Sequence, residues 1–220
     1  MIQDMATIPR PIFWSFRRCP YAIRARMAVL SAGLEVELRE IKLREKPLAF
    51  LSASPSATVP NLQADDLSLD ESLDIMLWAL GQRDPHGMLE GLESGRALIA
   101  QNDGPFKAAL DHTKYAVRYP DLDPEVERTK ASDFVRSLDI RLAGQAFLLG
   151  DRPTLADLAI FPFVRQFAHI DRAWFDAQPW PHVILWLDGF LQGADFQTAM
   201  TKVPVWEDGA PPYVFGTASQ

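Results

Sequence analysis

The 220-residue sequence predicts an α/β domain followed by an all-helical one. Three observations carry that prediction. The first eighty residues alternate short apolar or period-two runs with helical runs in the order β-α-β-α-β-β-α. A cluster of turn formers over 81–87 then breaks the periodicity. From Glu93 onward almost every segment has helical spacing. The expected organisation is residues 1–82 as the α/β domain, with a core of about 10–81, a linker over 83–92, and a helical domain over 93–220 that carries the C-terminal tail.

Each element has its own warrant. The run 11–16 is too continuously apolar for a strand with one solvated face, so it reads as a buried strand. Helix formers follow over 21–32, with Ile23, Met27 and Leu30 at helical spacing and Gly33 as the stop. Pro20 suits the first helical position, where its missing N–H would be unbonded anyway, and this puts Cys19 at the N-cap. Residues 35–40 alternate with period two and give a second strand, parallel to the first through a right-handed crossover. A short charged helix or loop passes Lys46, Pro47 and Phe50. Residues 58–62 and 67–69 flank Asp65-Asp66 as an antiparallel hairpin. Asp70-Glu71-Ser72 then introduces an apolar helix over 73–80.

In the second half, helices are expected over 93–118, 124–144, 154–170 and 181–191, with a shorter piece near 195–201. Thr154 and Asp157 have the spacing of a capping box, a folding feature rather than a chemical one. The tail from Val203 holds Trp206, Tyr213 and Phe215 among too many prolines for a helix, and its aromatics should pack back onto the body.

Composition narrows the function. With 48% apolar and 23% charged residues and a net charge of -7, the chain is globular and acidic, which argues against nucleic-acid binding. No apolar run approaches the roughly 18 residues of a membrane span, and the N-terminus lacks the pattern of a secretory signal, so a cytoplasmic protein is expected.

The single cysteine excludes an intramolecular disulfide, a Cys-pair metal site and a two-cysteine redox cycle within the chain. Inert burial, regulation and nucleophilic chemistry remain, and the neighbourhood favours the last. Between Met5 and Leu34 stand five arginines and no acidic residue, in an otherwise acidic chain. A helix N-terminus and nearby guanidinium groups both stabilise a thiolate relative to a thiol whose reference pKa is about 8.5. Arg17 and Arg18 are the candidates for that tuning. Arg24 and Arg26 read equally well as a solvated helix face pairing with the region 35–45. Cys19-Pro20-Tyr21-Ala22 has the layout of a C-x-x-C motif without its second cysteine, so any mixed disulfide on Cys19 must be released by an external thiol.

These residues resemble the glutathione S-transferase family, specifically its cysteine-type members such as the omega class and related bacterial proteins. The resemblance spans essentially the whole chain and implies a thioredoxin-like first domain. It implies that Val59-Pro60 is the cis-proline element whose preceding residue pairs with the cysteinyl unit of glutathione; an ordinary trans turn is the alternative from sequence. It implies that Glu71 and Ser72 hold the γ-glutamyl end, although the same residues suit any helix start. Lys46 matches an omega-class lysine at the glycyl carboxylate, and Tyr21 and Leu43 match positions lining the same pocket.

The function so implied is glutathione-dependent thiol transfer or reduction (thioltransferase, deglutathionylating or dehydroascorbate-reductase type) with Cys19 as the catalytic nucleophile. Glutathione is the co-substrate, no metal is expected, and the second substrate is a small disulfide or electrophile. Two alternatives stand beside it: conjugation of glutathione to apolar electrophiles, and a non-catalytic adaptor on the same fold. Phe106, His112 and Tyr115 are candidates for a second-substrate pocket, each also readable as core. A homodimer is the family's habit.

Overall fold

A computed structural model describes residues 9–216, and its contacts divide the chain into two compact units. One runs up to Arg83 and regains the chain from Thr201 on; the other is Asp84–Met200.

In the first unit the order is β1 (Ile12–Ser15), α1 (Pro20–Ala32), β2 (Val36–Glu40), α2 (Leu48–Ala53), β3 (Asn61–Ala64), β4 (Leu67–Leu69) and α3 (Ser72–Gln82). This is the expected β-α-β-α-β-β-α succession. A further strand, β5 (Val214–Phe215), completes a five-stranded sheet of order β4-β3-β1-β2-β5. β1 and β2 are parallel, with Phe13 opposite Leu38, and the other pairings are antiparallel. β1 is buried as its apolar run requires, with Phe13 and Trp14 at 0% and 1% exposure. α1 stops at Gly33, whose φ of 63° closes the helix in the left-handed conformation. α1 packs on α3, and on the sheet a cluster of Trp14, Ile41, Phe50 and Ala53 receives Val59 and Trp206.

The tail corrects the expected domain division. It belongs to the sheet unit, not to the helical one, because β5 pairs with β2 and Trp206 packs edge-on against Trp14 with ring centroids 5.0 Å apart. β5 was unforeseen because two residues among prolines carry no period. Its pairing covers the outer edge of β2, which would otherwise present unbonded backbone groups.

In the second unit the expected 93–118 helix divides into α4 (Leu92–Gln101), a π-helical turn over Asn102–Phe106, α5 (Lys107–Lys114) and a 3-10 turn over Ala116–Arg118. Pro105 lies inside the π-helical turn; it lacks the N–H that regular α-helix needs there. α6 (Pro124–Leu142), α7 (Leu155–Ala168), α9 (Pro181–Gln192) and α10 (Ala194–Ala199) match the expected helices within a few residues, and a short α8 (Arg172–Asp176) was not anticipated. Asp157 reaches back to the Thr154 N–H at 2.9 Å in the capping box, and also accepts from the Leu148 N–H and the Trp186 indole N–H. No helix among the described residues is long and apolar enough to cross a membrane.

Candidate active site

After β1 the chain turns through Phe16, Arg17 and Arg18, and the Cys19 N–H closes the turn on the Phe16 carbonyl at 2.9 Å. Cys19 is the N-cap of α1, with Pro20 at the first helical position, and no acidic residue occupies the first turn. Its thiol is half-buried and lies 3.7 Å from the Val59 carbonyl oxygen. The Val59-Pro60 peptide is cis. Fold topology thus brings together a thiol and a cis-proline peptide forty residues apart in sequence, because β3 runs antiparallel beside β1 and starts where α1 starts.

The loop leading to Val59 is held by two charged side chains, Lys46 and Asp70. Lys46 donates its ammonium to the Ala57 carbonyl at 2.9 Å, and Ala57 adopts a φ of 53°, unusual for a residue with a side chain. Asp70 accepts from the Ser54 hydroxyl at 2.6 Å, the Ser56 N–H at 3.0 Å and the Asn61 amide at 2.9 Å. Burial raises the Asp70 pKa, but these hydrogen bonds outweigh it and hold the carboxyl below its usual value. Glu71 is the N-cap of α3 and is exposed, whereas Ser72 behind it is buried. Leu43, at 45% exposure, is on the surface near the Lys42–Glu45 ion pair.

The arginines divide differently from the sequence expectation. Arg24 and Arg26 are not a solvated face: they are 2% and 0% exposed. Arg24 Nε donates to the Ser72 hydroxyl at 3.0 Å, and its guanidinium lies 5.1 Å from the centre of the half-buried Tyr21 ring. Arg26 pairs with Glu40 and donates Nε to the Ser15 hydroxyl at 2.9 Å. Burial lowers the Arg26 pKa against the raising effect of the Glu40 carboxylate, and a guanidinium stays charged under such a shift. Of the two tuning candidates, Arg17 donates its backbone N–H to Glu40 at 2.7 Å, and Arg18 is exposed with its guanidinium 5.2 Å from the Phe16 ring centre.

Sequence reasoning missed Glu40, Asp70 and the role of the buried arginines. One signal was available for Glu40: the period-two face holding Val36 and Leu38 also holds Glu40, so that acid had to point inward. Asp70 carried none, since its partners lie in segments folded back beside it.

The three residues expected around a second substrate have different surroundings within the helical unit. Phe106, 1% exposed, packs against Phe134 and Phe167 and is core. His112 Nδ1 lies 2.8 Å from the Glu127 carboxylate, with its ring edge-on to Tyr119. Tyr115 is flanked by Lys114 and Arg118 at 5.2 and 4.5 Å from its ring centre. Among the described residues no group of three or more His, Cys, Asp or Glu could hold a metal ion.

Comparison with known proteins agrees with this geometry. Residues 13–87 match the glutathione S-transferase N-terminal domain and residues 116–189 the C-terminal domain of that family. Among solved structures, the chain resembles a glutathione transferase family member from Pseudomonas fluorescens with two glutathione bound, at a TM-score of 0.76 and 17% identity, covering 90% of this chain and 95% of that one. It also resembles glutathione S-transferase I bound with lactoylglutathione, at 0.72 and 24%, covering 87% and 98%. A theta-class enzyme from Xanthomonas axonopodis with glutathione bound gives 0.71 and 19%, covering 89% and 99%. At these identities the structural likenesses speak for the fold. The two domain matches, which together span most of the chain, show that it belongs to the glutathione S-transferase family.

Proposed function

We propose that the chain is a cysteine-type, omega-like glutathione-dependent thioltransferase in which Cys19 is the nucleophile. The observation that carries this reading is the position of the thiol, at the N-cap of α1 and 3.7 Å from the carbonyl of Val59, the residue before cis Pro60. A helix N-terminus favours the charged thiolate, the form that attacks disulfides.

The Cys19 thiolate attacks the glutathionyl sulfur of a mixed disulfide; the Cys19–glutathione disulfide forms, the original S–S bond breaks, and the substrate leaves as a thiolate that takes a proton from solvent. The thiolate of a second glutathione then attacks the glutathionyl sulfur, releasing oxidised glutathione and restoring the Cys19 thiolate. Ala22 stands where a resolving cysteine would, so the second thiol comes from outside. The Val59 backbone pairs with the cysteinyl unit of glutathione, with Pro60 fixing its direction. Glu71 and Ser72 take the γ-glutamyl end, Lys46 the glycyl carboxylate, and Tyr21 and Leu43 the walls. The protein works as a homodimer, the habit of its family, in the cytoplasm and on a small disulfide or electrophilic partner.

Intact-mass measurement after incubation with oxidised glutathione across pH tests the reading. One glutathione adduct on Cys19, absent in Cys19→Ser and with a pH midpoint well below about 8.5, is the expected result. A protein that stays unmodified, or reacts only where a free thiol does, is not a thioltransferase of this kind.

A further inference from the structure

Arg24 is a buried charge that the thiol exchange above does not use. Retaining a guanidinium inside a helix–helix contact is costly, and an apolar side chain of similar length would fill the same space. Among its contacts, two run to residues of the proposed glutathione site: Nε–H to the Ser72 hydroxyl at 3.0 Å, and the guanidinium to the Tyr21 ring centre at 5.1 Å.

The direction of the first contact matters. A serine hydroxyl has one hydrogen to donate and two lone pairs. Arg24 can only donate, so it occupies a lone pair of Ser72 and leaves the hydroxyl hydrogen to be given elsewhere. A hydroxyl that accepts from a cation is polarised and becomes the stronger donor. Ser72 is the first residue of α3, where the helix N-terminus already favours an anion. We propose that Arg24 is a positioning residue for the carboxylate of the γ-glutamyl end, setting the Ser72 hydroxyl as a donor and bracing the Tyr21 ring. This rests on the glutathione reading above and adds to it a device that selects for that carboxylate.

Binding calorimetry on the full chain, in a Cys19→Ser background that prevents disulfide formation, separates this role from a merely structural one. The two ligands are glutathione and 4-aminobutyryl-cysteinyl-glycine, which lacks only the γ-glutamyl carboxylate. The unmodified site should prefer glutathione, and Arg24→Lys, which keeps the charge but removes Nε–H, should lose roughly tenfold for glutathione while changing the analogue by less than about twofold. Ser72→Ala should show the same selective loss, and the double variant no more than either alone. Arg24→Met is the second probe, with thermal melting as the check on folding; if it does not fold, Arg24→Lys decides. Equal weakening of both ligands, additive losses, or a site that never distinguishes the two ligands overturns the proposal. A site that binds neither ligand overturns the glutathione reading itself, a different result from binding that Arg24 does not govern.

Discussion

Arg26 and Glu40 form a buried salt bridge at the root of the turn that ends in Cys19. The same carboxylate accepts the Arg17 N–H at 2.7 Å, and the Glu40 carbonyl accepts the Trp206 N–H at 2.8 Å. One residue at the end of β2 therefore ties together α1, the cysteine turn and the C-terminal tail. Taking the carboxylate away leaves a guanidinium in the interior without that counter-charge and the Arg17 N–H without its acceptor. Glu40→Ala should cost about 3–5 kcal/mol in urea unfolding, and Glu40→Gln less, because one oxygen remains for Arg17. Alkylation of Cys19 by iodoacetamide should slow in Glu40→Ala at temperatures where it is folded. A Glu40→Ala protein within 1 kcal/mol of the parent would show that the pair is not structural.

Asp70 gives the loop before Val59 a dependence on acid. Its folded-state pKa lies below the ordinary carboxylate value, so it contributes stability above that value and loses it as pH falls through the depressed one. Asp70→Asn should be less stable than the parent by about 1–3 kcal/mol near neutrality, and the gap should narrow toward about pH 3 as the parent's carboxyl is protonated. Urea midpoints measured across that range give the comparison directly. A gap constant with pH would mean that the Ser54, Ser56 and Asn61 hydrogen bonds do not depend on the charge.

The route of the chain was legible in the sequence where local pattern and burial coincide. The apolar run Ile12–Ser15, Pro20 at the first position of α1 and Gly33 at its end are local signals, and the structure obeys each. The order of strands and helices followed, and with it the placing of Cys19 at a helix start. What was not legible depends on residues far apart in sequence. For Arg24 and Arg26 the sequence allows a solvated face pairing with residues 35–45; Arg26 does pair there, with Glu40, but both arginines are buried, and an isolated helix says nothing of that burial or of a serine on α3. β5 could not be read because its two residues are strand only through pairing with Val36 and Glu37. Phe106 could not be assigned to pocket or core, since both need an aromatic side chain; its neighbours Phe134 and Phe167 decide for core.

The cap of α7 anchors the helical unit through four donors. Asp157, 0% exposed, accepts from the Leu148 N–H and Trp186 Nε1–H on one oxygen, and from the Thr154 N–H and hydroxyl on the other, at 2.9 to 3.0 Å. Replacing either oxygen by an amide NH₂ sets a donor against two donors. Asp157→Asn should therefore destabilise by about 1–3 kcal/mol for each donor left unmatched. Thr154→Ala, which removes one donor and a cap residue, should cost only about 0.5–2 kcal/mol. Thermal unfolding of the two variants ranks them, and equal losses would mean that the carboxylate matters only as the partner of Thr154.

Gly216 tests whether the tail is structurally part of the sheet. It follows β5 with a φ of 109°, and a Cβ built there would lie 1.7 Å from the Leu34 backbone oxygen. A backbone atom cannot swing aside as a side chain end would, so Gly216→Ala must push the end of the tail off the sheet edge. The cost should be about 1–3 kcal/mol, the usual range for overpacking. Amide exchange locates it: the Leu38 N–H, bonded to the Tyr213 carbonyl at 2.9 Å, and the Trp206 N–H, bonded to Glu40 at 2.8 Å, should both exchange faster. The Leu155 N–H, bonded to the Met88 carbonyl at 2.7 Å inside the helical unit, should keep its protection. Faster exchange at Leu155 with Leu38 unchanged would place the tail's support in the helical unit. Because Glu40 also holds the Arg17 N–H, the same variant should slow Cys19 alkylation, linking the last strand of the chain to its one thiol.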